Sequence, residues 1–390
     1  MRNWKTVKLG KVCEVVRGGS PRPIIDFVTT SPYGVNWLKI GDVNEHDKYL
    51  THSAERIIKA GTAKSRAVKK GDLILSNSMS FGRVFITLID GCIHDGWLRL
   101  RNNENLLDRE YLYYFLSSKF AQNQFKAIAT GSVVNNLKSD TVKNIDIDLP
   151  SLDEQRAIAS ILCLLDDKIA INEKINNHLE QIAQAVFKKE FVSLSSLPIG
   201  WQQASLIDIA DYLNGLAMQK YRPTDDERGI PVLKIKELRQ GGCDNNSELC
   251  SPNIKSEYII QNGDVIFSWS GSLLIDFWCD GICGLNQHLF KVSSKKYDKW
   301  FYYAWIKHYL NHFIAVAADK ATTMGHIKRD ELIKTEVFIP TEEDYNRIGS
   351  LLNPIYDLII SNRIENNQLA KTRNSLLPRL ISGELDISEI

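Results

Sequence analysis

The apolar positions of this chain keep two rhythms, and the rhythms alternate along its length. Through residues 1–150, and again through 191–340, short apolar runs such as Leu73-Ile74-Leu75 and Val265-Ile266-Phe267 lie between Gly/Asn/Asp/Ser turns. That is the pattern of strands. One helical stretch interrupts each series, at Tyr111-Leu112-Tyr113-Tyr114-Phe115-Leu116 and at Trp300-Phe301-Tyr302-Tyr303-Ala304-Trp305. Aromatics at helical spacing read as core rather than as base-stacking platforms.

From Asp153 the rhythm changes to alternating steps of four and three: Ile158, Leu162, Leu165, Ile169, Asn172, Asn176, Leu179, Ala183 and Val186. From Glu342 it recurs as Ile348, Leu352, Ile355, Ile359, Asn362, Asn366 and Leu369. Each residue of the second series lies 190 positions after one of the first, both asparagines included. This is a heptad seam, so two long helices are expected to pack on each other as an antiparallel coiled coil. A helix from Asp153 to about Lys189 would be ~55 Å long. Paired asparagines within an apolar seam fix register, since slippage leaves them unpaired; the alternative is that they face water where the helices splay. Pro354 falls inside the second helix and predicts a kink that the first helix, with Leu164 at the matching place, lacks.

The strand-rich parts repeat as well. Trp4–Val12 resembles Trp201–Ile209, and Val35–Ile40 resembles Ile230–Ile235. Lys70-Gly71-Asp72-Leu73-Ile74 resembles Asn262-Gly263-Asp264-Val265-Ile266, and Ile147–Pro150 matches Val337–Pro340. The expected fold is α+β: two globular, β-rich domains with some helix, separated by two long helices in a pseudo-two-fold internal repeat. The expected segments are domain 1 (1–150), a central spacer helix (151–190), domain 2 (191–340), and a C-terminal helix and tail (341–390). Two equal readers held apart by rigid helix suit a bipartite ligand such as duplex DNA, whose half-sites on one face lie ~34 Å apart.

Charge sharpens this picture unevenly. The net +1 of the chain divides into +7 for residues 1–150, −2 for 151–190, −1 for 191–340 and −3 for 341–390. Only the first block has the charge of a nucleic-acid binder, so the second must use a local basic face or a partner. No stretch approaches the ~20 apolar residues of a spanning helix, and the start of the chain lacks a signal-peptide pattern, so a cytoplasmic protein without a membrane role is expected. Cys243, Cys250, Cys279 and Cys283 are spaced more loosely than zinc-ligand pairs, so thiols and no metal are expected.

The boundary segments resemble a known family. Leu149-Pro150-Ser151-Leu152-Asp153-Glu154-Gln155 resembles the opening of the spacer helix in specificity subunits of type I restriction–modification enzymes. Thr130-Gly131-Ser132 with Asn135-Asn136-Leu137-Lys138 resembles the stretch closing their first recognition domain, and Leu376–Leu385 their usual end. The second copy departs from the pattern, with Thr322-Thr323-Met324-Gly325-His326-Ile327-Lys328 and Glu342-Glu343-Asp344. The resemblance implies two target-recognition domains reading a split double-stranded DNA site, and helices that dock two methyltransferase subunits. Motor-nuclease subunits then join. It also implies no active site and no cofactor in this chain; the partners bring S-adenosylmethionine, ATP and magnesium.

Candidate DNA contacts lie in loops that recur at equivalent places in both repeats. In domain 1 they are Arg17, Ser20 and Arg22 of a Gly-bearing turn, Lys39, the loop residues Ser76, Ser80 and Arg83, and Thr130, Ser132, Asn135 and Lys138. In domain 2 they are Lys220, Arg222, Lys234, Ser268, Ser270, Thr322, Thr323 and Lys328. Small residues and guanidiniums suit approach to phosphate and bidentate contact with guanine, against the plain alternative of ordinary surface turns.

Catalytic readings fare worse. Asn353-Pro354-Ile355-Tyr356 superficially resembles an adenine-methyltransferase motif, but it lies in the heptad helix and has Ile where Pro is needed. Asp166-Asp167-Lys168 has the residue types of a nuclease site but reads as a solvated helix face, and there is no phosphate-binding GxxxxGK[ST] loop. His94-Asp95 and His288 lack nucleophile partners. Two alternatives stay open: a recognition subunit for a fused methyltransferase–nuclease, and a coiled-coil scaffold without a DNA role.

Overall fold

The computed structural model describes residues 4–44, 47–78, 81–129, 136–319, 327 and 329–387. The fold is mixed α and β, with two sheet-rich domains of the same plan.

In domain 1, one sheet runs in the order Cys13–Arg17, Trp97–Asn102, Leu73–Ser76, Val84–Thr87, Tyr49–Leu50. In domain 2 the corresponding order is Asp211–Asn214, Leu289–Ser293, Val265–Ser268, Leu274–Phe277. A second sheet holds Glu55–Ile57, Val35–Leu38, Gly91–Ile93 and Arg66–Val68, with Val28–Thr29 at its edge. Its counterpart holds Leu249–Cys250, Ile230–Leu233, Cys283–Leu285 and Ile259–Ile260. Each second sheet contains one parallel pair, Cys92 beside Trp37 and Val232 beside Gly284. The first and last strands of each domain close on each other, Lys5 opposite Leu149 and Gln202 opposite Ile339. The inner strands Leu73–Ser76 and Val265–Ser268 are buried on both faces, which is why they read as unbroken apolar runs.

The aromatic stretches are core. Tyr111, Tyr114 and Phe115 are buried under the first sheet of domain 1, as are Trp300, Phe301, Tyr303 and Trp305 in domain 2. Domain 1 uses two helices here, Arg109–Ser117 and Lys119–Ala129, whereas domain 2 has one, Lys299–Asp319.

The long helices run Leu152–Phe187 and Glu342–Ile381. The second continues through Pro354, whose ring is on an exposed face. Every seam residue from Ile158 to Val186 and from Ile348 to Leu369 is buried or half-buried. Asn172 Nδ2 donates to Asn366 Oδ1 at 2.8 Å, and Asn362 Nδ2 donates to Asn176 Oδ1 at 2.9 Å. Shifting either bond by 190 residues gives the other, so this cluster is two-fold symmetric and its helices antiparallel.

The compact units do not follow the element boundaries. One comprises Met1–Asp167 with Lys371–Ile390, the other Lys168–Ala370. Each globular part packs on the start of one long helix and the end of the other: Ile158 and Leu162 share a core with Leu380 and Ile381, and Phe187 and Phe191 share one with Ile348 and Leu352.

Charged networks anchor the helices within each unit. In the first, Lys48 Nζ pairs with Glu110 at 3.0 Å and lies over the rings of Tyr49, Tyr113 and Tyr114. Burial disfavours the Lys48 charge, but Glu110, Cys163 and Tyr49 together outweigh it, and the lysine pKa stands above the usual value. Tyr114 donates to Asp166 at 2.6 Å, and Asp166 also pairs with Arg373. This corrects the reading of Asp166 as solvated: its carboxylate is largely buried, because the tyrosine and the guanidinium reach it from both sides. In the second unit Arg363 bridges Asp276 and Glu180.

Candidate nucleic-acid interface

The first candidate loop is positioned by backbone. Strand Cys13–Arg17 ends in Gly18, whose N–H donates to Trp97 O at 2.8 Å. A Cβ at Gly18 would stand 2.1 Å from His94 O, so only glycine allows the chain to turn this close to the next loop. Domain 2 repeats the arrangement: Gly215 N donates to Leu289 O at 3.0 Å, and a Cβ there would stand 2.2 Å from Asn286 O.

Above this turn, domain 1 gathers its polar groups on Asp95. Ser20 Oγ donates to Asp95 Oδ1 at 2.6 Å, and Arg22 Nη2 lies 3.4 Å from Oδ2. The Asp95 carbonyl accepts from Arg17 Nε at 3.2 Å and from Asn77 Nδ2 at 2.9 Å. Asn77 O in turn accepts from Leu137 N, and Arg66 Nε donates to Arg17 O at 3.4 Å. The Ser20 hydrogen bond, against a smaller opposing effect of burial, holds the Asp95 carboxyl below its usual range. Burial lowers the pKa of neighbouring His94, against the pull of Asp95, so the imidazole is neutral near pH 7. Beside these residues a cavity of about 620 Å³ is lined by Pro21, Ile24, Trp37 and His94, with Arg22 and Lys39 at its polar edge.

Domain 2 builds the equivalent place with aromatic and neutral polar groups. Trp269 Nε1 donates to Asn214 Oδ1 at 3.1 Å, and Ser270 Oγ and His288 Nδ1 are 3.1 Å apart. Trp269 packs on Phe290, ring centres 5.7 Å apart. Gln287 stands where domain 1 has Asp95.

Several residues singled out in the sequence fall elsewhere. Ser76 and Ser268 are buried and shape their loops: Ser76 Oγ accepts from Arg83 N and Ser268 Oγ donates to Ser270 O. A ligand cannot reach them in this conformation, which corrects their place among the contacts. Lys39 pairs with Glu55, and Lys234 with Glu248 at 2.6 Å. Arg222 reaches the same Glu248 at 3.2 Å. These three cations are therefore partly neutralised by domain carboxylates. Arg83 turns toward Asn44 O and over the Phe85 ring, apart from the Asp95 cluster. Lys138 and Lys220 are exposed, and Ser270 is buried against His288. Ser80, Thr130, Ser132, Asn135, Thr322, Thr323 and Lys328 lie outside the described residues.

Sequence reasoning missed Asp95 and Asn77, and also Arg66. An acid does not stand out in a search for phosphate binders, and its partners Arg17, Ser20 and Arg22 lie 73 to 78 residues away in the chain.

Two copies of one family model, the type I restriction modification DNA specificity domain, match residues 1–181 and 198–371. The chain belongs to this family. The specificity subunit of the type I restriction enzyme MjaIX from Methanocaldococcus jannaschii is 26% identical, with 100% of this chain and 95% of that one aligned. The HindI specificity subunit of Haemophilus influenzae is 21% identical over 99% of this chain and 100% of its own length. The fold is also that of the type I restriction-modification system S subunit from M. genitalium, with a TM-score of 0.57 at 16% identity, covering 97% and 96% of the two chains. Among the described residues of this specificity-family chain, no helix is long and apolar enough to cross a membrane, and no cluster of His, Cys, Asp and Glu is arranged to hold a metal.

Proposed function

We propose that this chain is the non-catalytic DNA-reading subunit of a type I restriction–modification complex, and that its two domains each read one half of a split target. The observation that carries this reading is the repeated loop: in both domains a glycine turn presses on the loop before the next strand and presents polar side chains at one edge of the sheet. Arg17, Arg22 and Arg66 give the first domain phosphate-binding groups and a guanidinium able to meet guanine in the major groove. The second domain offers Trp269, His288 and Asn214 instead, matching its lower charge.

Helix Leu152–Phe187 supports a docking role. Within the second compact unit, Ile171, Ile175 and Ile182 are exposed large apolar residues. At roughly 100° per residue they fall within about 40° of one line, whose centre is about 100° round the helix from the centre of the buried seam. Such a stripe fits a helix of a methyltransferase subunit, and two of these subunits, followed by motor-nuclease subunits, complete the proposed assembly. S-adenosylmethionine, ATP and magnesium belong to those partners, and the complex works in the cytoplasm.

Co-expression with the methyltransferase subunit in a methylation-free host, followed by mapping of modified adenines, tests the proposal. A motif of two short specific halves around a fixed gap is expected, and replacing residues 1–150 should change one half alone. An intact complex that methylates without a split motif would overturn the bipartite reading, and failure to co-purify would favour a scaffold without a DNA role.

A further inference from the structure

The proposed reading role leaves open what holds the first loop in its reading geometry. We propose that Asp95 is the positioning residue of the domain 1 reading site, a carboxylate that orients cations and hydroxyls toward DNA without itself contacting a base. The inference rests on the DNA-reading role proposed above.

An acid in a site meant for phosphate repels the ligand, so its presence needs a compensating purpose. The geometry supplies one. Asp95 ties two other segments to its own: the turn of residues 17–22, with Ser20 and Arg22 on its carboxylate and Arg17 on its carbonyl, and Asn77, also on its carbonyl. Through Asn77 the segment at Leu137 is tied in as well. Arg22 has 81% of its side chain exposed and would otherwise sample many rotamers. Ion pairing to Asp95 narrows that range, and Ser20 Oγ is both donor to the carboxylate and acceptor from Asp95 N at 3.3 Å, which fixes the pair reciprocally. With Ser20 on one oxygen and Arg22 on the other, the carboxylate is committed within the protein. In domain 2 Gln287 occupies the equivalent position, and Asn214 and Ser270 are held by Trp269 and His288 instead. The positioning device thus belongs to domain 1, where Arg17 and Arg22 flank the acid.

The test uses the full chain in complex with its methyltransferase partner, and measures Kd for a duplex bearing the mapped target, for duplexes altered in either half, and for an unrelated duplex. Asp95→Asn keeps the shape and removes the charge. It should reduce discrimination at the half read by domain 1 by roughly tenfold. Discrimination at the other half should be unchanged, and affinity for unrelated DNA equal or higher, since a negative charge has gone. Ser20→Ala should act in the same direction with a smaller effect. Discrimination within twofold of wild type in Asp95→Asn overturns the proposal. So does a parallel loss for every duplex together with a fall in Tm, which would mark a merely structural residue. A switch to a different preferred base at one position would show Asp95 reading DNA directly, and would equally overturn it. A wild-type complex that fails to discriminate its target would instead sink the reading role on which the assignment rests.

Discussion

The candidate reading sites of the two domains share a backbone and differ in electrostatics. Gly18 and Gly215 make the same turn against the same carbonyl, and Lys39 with Glu55 repeats as Lys234 with Glu248. Yet domain 1 places an anion among exposed guanidiniums, whereas domain 2 closes its loop with an indole, an amide and an imidazole. The scaffold therefore fixes where side chains are displayed, and the loop residues decide what is displayed. In such an arrangement, recognition can change by substitution at a few tips without disturbing the sheets beneath.

The shared part should break equally in both copies. Gly18→Ala and Gly215→Ala each force a methyl group into a backbone carbonyl, and each should cost roughly 3 kcal/mol or more in thermal unfolding. A large loss in one domain and none in the other would show that the turns are not equivalent.

The helix anchors should separate the copies. Asp166→Ala leaves Arg373 and the Tyr114 hydroxyl without the carboxylate they share, and should cost about 2–3 kcal/mol. Asp276→Ala leaves Arg363 still paired with Glu180 at 2.7 Å, and should cost about 1 kcal/mol by the same measurement. Equal losses would mean that Glu180 does not compensate.

The asparagine cluster gives a finer comparison. Asn176→Leu removes the acceptor of Asn362 Nδ2 and should cost about 1–2 kcal/mol in denaturant unfolding. Asn366→Leu should cost about half of that, because Asn172 Nδ2 also donates to Glu365 at 2.7 Å. Identical costs would show that the symmetric pairs, and not the added glutamate, govern the seam.

The smallest effect concerns charge. Glu248→Gln releases Arg222 and Lys234 together, and should steepen the salt dependence of DNA binding by about one unit of slope. Glu55→Gln releases Lys39 alone and should do less. An unchanged slope in both would place these cations away from the DNA.

Much of this organisation was legible from the residues. The seam was readable through both asparagines because a coiled coil imposes a strict local period, and because the same spacing occurs twice. The strands of each domain showed through their turns. The sites were harder. Arg17, Ser20 and Arg22 stood out as a loop, but their partner Asp95 meets them only through sheet pairing across more than seventy residues. Lys39 and Lys234 looked like available cations. Glu55 and Glu248, 16 and 14 residues further on, are in the sequence at equivalent places, and their recurrence was the signal that both lysines are paired. Asp166 misled because its exposed neighbours Asp167 and Lys168 dominate the local pattern, while Arg373 approaches from the far end of the chain.

That last contact bears on the order in which the molecule can be finished on the ribosome. Domain 1 is synthesised first, but Leu380 and Ile381 belong to its core, and Gly383 lies against Trp4 with 3.1 Å between its Cβ position and the ring. The emerging domain must wait, with part of its apolar surface uncovered, while more than two hundred further residues are made. Of the two domains, the one translated first is thus the one completed last, and its vulnerable interval is set by the time needed to translate everything in between.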